Sequence, residues 1–171
     1  MAITKFISAQ IKKNKEQLRR ELQQELKRIT DVIDAPMGKQ IGEIAVTEMK
    51  SLISKGISTI EGGGKFPKYS DSYREAIKRG RYTGKKITPV NLKLTGDMLN
   101  SLDSTIRETG KGVDVFVGYF DSKEALKEQG HRESINSRPT IPIGSERFSV
   151  KLERKILDAL VKILGTRLRS R

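Results

Sequence analysis

Apolar residues are spaced as helices in the first third of the chain, alternate near its middle, and return to helical spacing at the end. Phe6, Ile7, Ile11, Leu18, Leu22, Leu26, Ile29 and Ile33 recur mostly three and four apart, separated by Lys, Arg and Glu. This pattern predicts a basic amphipathic helix from about Phe6 to Ile33. Such a helix can have one wet and one packed face, or lie on a membrane surface or in an RNA groove. Asp34-Ala-Pro36 interrupts it, because proline disfavours a helical residue before it. Met37, Ile41, Ile44, Ala45, Met49, Leu52 and Ile53 then predict a second helix to Ser54, with Gly56 as its stop.

Periodicity fades from Gly56 to Pro89, where Gly62-Gly-Gly64, Pro67, Gly80 and Gly84 punctuate the chain. Ser70 can cap a short helical turn to Lys78. Leu92 and Leu94 alternate with Asn91 and Lys93, as in the end of a half-buried strand. Thr95-Gly96-Asp97 then suits a helix start, with Thr95 as N-cap and Asp97 in the first turn. Leu94 and Leu99 are spaced as a hydrophobic staple, and Met98 and Leu102 continue the apolar face of this structural corner. A strand over Ser104–Glu108, a turn at Thr109–Gly112 and a strand over Val113–Tyr119 make a hairpin.

Asp121 and Glu124 have capping-box spacing and open a short helix that Gly130 is expected to end near Gln129. His131–Ser137 reads as polar loop, and the prolines of Arg138–Gly144 require extended chain. Ser145 can cap a last helix carrying Phe148, Leu152, Ile156, Leu157, Leu160, Val161 and Leu164, before a loose basic tail, Arg167–Arg171. The expected class is α+β: two N-terminal helices, a long extended loop, a small antiparallel sheet with short helices, and a C-terminal amphipathic helix. These form one domain over 1–171, divided into a helical part (1–55), a basic loop (56–90) and a hairpin core with the last helix (91–171).

Composition narrows the function. Of 171 residues, 35% are hydrophobic and 5% aromatic, with no Trp, so the core is thin. No apolar run approaches the roughly 20 residues of a spanning helix, no signal-peptide pattern opens the chain, and no membrane role is expected. The absence of cysteine excludes disulfides, thiolate metal sites and thiol nucleophiles. A net charge of +13 favours polyanionic partners. Much of it lies in the loop, in Lys65, Lys68, Arg74, Lys78, Arg79, Arg81, Lys85 and Lys86, which are candidates to face DNA. Phe66, Tyr69, Tyr73 and Tyr82 are interleaved among them. Free linkers are poor in aromatics; these four are expected to pack on a neighbouring subunit or partner.

Chemistry is harder to find. His131 is the only histidine, without the companions of a metal site or a catalytic triad. Asp97, Asp103, Asp114 and Asp121 could in principle gather as nuclease carboxylates, but helix starts and strand alternation already explain most of them. Gly62-Gly-Gly64-Lys65 lacks the spacing of a phosphate-binding loop. No enzyme and no cofactor is expected. A monomeric basic nucleic-acid-binding protein is the alternative; a metal-dependent nuclease is remote.

Phe66-Pro-Lys-Tyr-Ser-Asp-Ser-Tyr73, Leu92-Lys-Leu-Thr-Gly-Asp-Met-Leu-Asn-Ser-Leu102, Val113–Tyr119, Ala125–His131 and Arg138-Pro-Thr-Ile-Pro-Ile-Gly144 follow one another in order. Together they resemble the tail-completion (head–tail joining, neck) proteins of tailed bacteriophages. Thr140 stands where that pattern suggests a bulkier residue. The resemblance implies a non-enzymatic virion protein, assembled in the host cytoplasm as a ring, a hexamer by analogy, around the DNA channel. Its partners would be further copies of itself, the tail tube or tail terminator protein, and the head connector or stopper protein. DNA would touch it only non-specifically, in the lumen.

Overall fold

The computed structural model describes residues 15–24, 27, 33–82, 85–90, 92, 97–110 and 112–170. The chain is α+β, with helices around a two-stranded antiparallel sheet and a long helix at the C-terminal end. The elements are α1 (15–24), α2 (Ala35–Ser54), α3 (Asp71–Lys78), α4 (Asp97–Asn100), β1 (Leu102–Thr109), β2 (Gly112–Tyr119), α5 (Ser122–Glu133) and α6 (Val150–Arg169).

Helix α1 covers the described part of the first predicted helix; the rest of Phe6–Ile33 lies outside the described residues apart from residues 27 and 33. All of 15–24 is exposed, including Leu18 at 56% and Leu22 at 57%. Of the readings open to this helix, one wet and one packed face is not seen over 15–24. Helix α2 begins where the Asp34 carboxyl accepts from the Met37 N–H at 2.9 Å, with Pro36 in the first turn, where a missing N–H costs nothing. It ends at Lys55, and Gly56 leaves with a positive φ of 74°.

Helix α2 crosses the hairpin on its glycines. A Cβ on Gly42 would lie 2.5 Å from Ser104 Oγ, and one on Gly38 2.6 Å from Val113 Cγ1. The hairpin pairs Leu102 with Tyr119 through Thr109 with Gly112, so Val113, Val115 and Val117 share the face toward α2 and Phe116 points away. Val46, Met49, Leu52 and Ile53 of α2 join Phe66, Tyr69, Val90, Leu92, Leu99, Leu102 and Leu152 in one core.

Several boundaries differ from the expectation. Helix α5 runs through Gly130 to Glu133, which places His131 and Arg132 in its last turn and not in a loop. Asp121 caps it as expected, accepting from the N–H groups of Lys123 and Glu124 at 2.9 and 3.1 Å. Helix α6 starts at Val150 with Ser149 at the N-cap, so Ser145 is not the cap. Phe148 precedes it in a β-bridge to Ile60. The last helix extends to Arg169, and Arg167 pairs with the Asp34 carboxyl, so the tail is anchored to the start of α2. Leu92 has φ +47°, a left-handed conformation that excludes the predicted strand at that residue. Leu94, Thr95 and Gly96 lie outside the described residues; from the same corner Met98, Leu99 and Leu102 are buried, and Asp97 is exposed in the first turn of α4.

Candidate functional site

The segment expected to lack a core of its own folds onto its own chain. The three glycines at 62–64 turn it back, with Gly62 and Gly64 at positive φ. Ile57 bridges Lys65, and the Ser58 and Phe66 N–H groups donate to the Gly64 and Gly56 carbonyls, each at 2.8 Å. Phe66 and Tyr69 then enter the core at 7% and 8% exposure, with Tyr73 and Ile77 half-buried against it. The chemical premise for packing on a neighbour, aromatics without a local core, therefore does not hold for Phe66 and Tyr69. Helix α3 occupies Asp71–Lys78, with Ser70 at its N-cap position but without a side-chain capping bond.

Two buried polar side chains fasten this segment to distant chain. Arg138, 7% exposed, donates from Nε to the Pro67 carbonyl at 3.1 Å and from Nη2 to the Lys68 carbonyl at 3.0 Å. Its guanidinium lies 4.8 Å from the Tyr69 ring centre. Glu128 Oε1 accepts from the Thr140 N–H at 2.9 Å, the Ile141 N–H at 3.2 Å and Arg132 Nη2 at 3.3 Å. Arg132 also reaches the Ile141 carbonyl and both Glu146 oxygens. Thr140, fully buried, receives the Thr59 hydroxyl at its carbonyl and shares a 3.2 Å hydrogen bond with Tyr119. Burial pushes the Tyr119 phenol up to about 12, with the nearby Glu128 and Glu124 adding to the rise against the Thr140 hydrogen bond.

Above Arg138 the tyrosines form a platform. Tyr69 and Tyr73 meet edge to face at 5.0 Å, and Tyr73 and Tyr82 are tilted at 4.8 Å. Lys85 Nζ sits 5.4 Å from the Tyr69 ring centre and 3.5 Å from its hydroxyl. A cavity of about 270 Å³ opens between Tyr69, Ser70, Tyr73, Lys85, His131, Asn136 and Arg138. His131 is held down at about 4 by burial, then by the charges of Lys85 and Arg138. Burial also lowers Lys85, with Arg138 repelling it.

Of the predicted site residues, the fold gathers Tyr69, Tyr73, Tyr82 and Lys85. Phe66 is spent in the core. Arg74 pairs with Asp71 and Lys78 with Glu75 along α3; Arg81 lies 5.8 Å from the Tyr82 ring centre. Lys65, Lys68, Arg79 and Lys86 are exposed and do not line the cavity. His131, Asn136 and Arg138 complete it from chain more than 45 positions away, and sequence reading placed none of them there. The one available signal was Arg138 itself, a charged residue locked before proline in an extended segment.

The candidate nuclease carboxylates are separately employed. Asp103 accepts from the Ser104 N–H at 2.8 Å, Asp114 pairs with Arg107 and Asp121 caps α5. Among the described residues no group of three His, Cys, Asp or Glu side chains is placed to hold a metal ion. No described helix is long and apolar enough to cross a membrane. Comparison with protein-family models, curated proteins and solved structures found no match.

Proposed function

We propose that this chain is a structural subunit of a tailed-phage neck, a tail-completion protein that assembles into a ring between head and tail. The observation that carries the reading is the ordered set of motif segments from Phe66 to Gly144, together with where their residues lie. Phe66, Tyr69 and Tyr73, then Leu99 and Leu102, then Val117 and Tyr119, then Ile141 all pack in one cluster. Segments that share a core are expected to keep their residue types together, which is what an ordered motif series consists of.

Two surface features support assembly. The sheet has only two strands, so among the described residues each strand has an outer edge without a strand neighbour. Such an edge can accept a strand from an adjacent copy. On α6, Leu157 and Val161 stand 57% and 61% exposed beside the half-buried Ile156 and Leu160, so its apolar face is wider than its own core covers. A head-to-tail contact of this kind closes into a ring when its rotation permits, and the reading specifies a closed ring, hexameric by analogy with the family. The ring would join the tail tube or terminator protein to the head connector or stopper. Exposed Lys65, Lys68 and Arg79 suit weak, sequence-independent contact with DNA.

Negative-stain imaging of the purified chain, alone and mixed with tail-tube protein, tests the reading. Closed rings of uniform diameter in either sample are expected. A chain that stays monomeric in both, and binds short duplexes with an affinity that falls steeply with salt, would replace it with the nucleic-acid-binding alternative.

A further inference from the structure

We propose that the cavity between Tyr69, Tyr73, Lys85, His131 and Arg138 is a binding site for a phosphate-class dianion. It does not depend on ring formation.

The lining brings the basic side chains of Lys85 and Arg138 together with a chargeable imidazole, and among the described residues it includes no Asp or Glu. Ser70, Asn136 and the two phenols supply neutral hydrogen-bonding groups. Elsewhere among the described residues, half-buried cations find an acceptor: Arg74 meets Asp71, Arg132 meets Glu128 and Glu146, Arg167 meets Asp34, and Lys50 donates to the Asn100 carbonyl. At this cavity the nearest charges are of like sign. Lys85 and Arg138 each depress His131, and Arg138 depresses Lys85. An anion placed among them relieves the repulsion between Lys85 and Arg138.

Charge and shape select the class. A carboxylate supplies one negative charge and is bound best by an Arg fork, but here Nε and Nη2 of Arg138 are engaged by the Pro67 and Lys68 carbonyls. A phosphate carries about −1.5 to −2 at neutral pH and accepts hydrogen bonds in several directions. That suits one ammonium, one guanidinium edge and an imidazole N–H. The Tyr69 and Tyr73 rings beside the cations give a face on which a nucleobase attached to the phosphate could stack. Inorganic phosphate and a nucleotide phosphate are therefore the two sources of the same chemistry.

Because His131 is the only histidine, its ring resonances report the cavity without assignment ambiguity. The groups facing it from other elements are Lys85, Arg138 and the phenols of Tyr69 and Tyr73. On its own helix Glu128 and Arg132 are bound to each other. The experiment is an NMR titration of the whole chain in sodium sulfate, which stays dianionic throughout, against sodium chloride of equal ionic strength. Inorganic phosphate, adenosine monophosphate and acetate are then compared at pH 6.5 through the amide shifts of Tyr69, Lys85 and Asn136. Sulfate should raise the His131 pKa from about 4 by about 1 to 3, and phosphate should give saturable amide shifts. Tighter binding of the nucleotide than of phosphate would identify a nucleotide source, and equal binding a free phosphate. Lys85→Gln should weaken the sulfate response at least about tenfold while its amide spectrum elsewhere stays native. A His131 titration identical in sulfate and chloride, an acetate response equal to that of phosphate, or an unchanged response in Lys85→Gln would overturn the proposal.

Discussion

Where α2 crosses the hairpin, contact is made by missing side chains: Gly38 and Gly42 let Val113, Ser104 and Val115 come against the helix backbone. Across the core, at 66–69 and 138–141, contact is made by long polar ones, with Arg138 and Glu128 reaching backbone groups that no helix or strand satisfies. Both regions are buried, and they should fail differently. An apolar seam has no partner to orphan, so it is damaged by added volume. A polar clamp is damaged by subtraction, because removing one side chain strands several buried donors or acceptors.

Glu128→Ala should be the most costly change, at about 4 kcal/mol, since it leaves the buried Thr140 N–H and the half-buried Ile141 N–H without their acceptor and takes one of two carboxylate partners from the 16%-exposed Arg132. Glu128→Gln, which keeps one carbonyl oxygen, should lose clearly less by urea unfolding. If the two variants were equally stable, the clamp would be doing nothing. Gly42→Val should cost about 3 kcal/mol by driving a side chain into Ser104 and Val115. Arg138→Lys keeps the charge but cannot reach both the Pro67 and Lys68 carbonyls; about 2 kcal/mol is expected, with faster proteolysis in 66–78.

The clamp side alone should also respond to mild acid. His131 titrates near 6.5 when unfolded and near 4 when folded, so the unfolded chain binds the extra proton first. Its contribution is intact above pH 6.5 and is lost as pH falls from there toward 4. His131→Gln should flatten that part of the Tm against pH curve. The smallest effect belongs to the surface: Lys155→Ala, which removes the pair with Glu48, should change stability by no more than about 0.5 kcal/mol.

The contrast also separates what could be read in advance from what could not. The stripe from Met37 to Ile53 and the alternation from Val113 to Tyr119 are periodic, and periodicity reports a buried face directly; α2, β1 and β2 follow. Boundaries at Gly130 and Ser145 were misplaced because each residue has the chemistry of a stop or a cap, while tertiary hydrogen bonds decide whether it is used. In α5 the helix continues through Gly130, and Arg138 N–H donates to the His131 carbonyl at 2.9 Å near the helix end. The candidate site was half legible. Tyr69, Tyr73, Tyr82 and Lys85 stood out because aromatics among charges are unusual in a loop. Arg138 meets the Tyr69 ring and bonds the Pro67 carbonyl 71 positions away, and neither spacing nor composition encodes such a contact. The same blindness made the 56–90 segment look like a loop in need of a neighbour.

Hydrogen exchange of the chain, followed before and after assembly into the proposed ring, bears most directly on that point. Amides of Phe66 and of α3 should be protected already in the unassembled chain, at rates that assembly barely changes. New protection should appear instead along the outer edges of β1 and β2 and on α6. Free exchange across 66–78 in the isolated chain, with protection gained only in the ring, would contradict the self-contained core described for this segment.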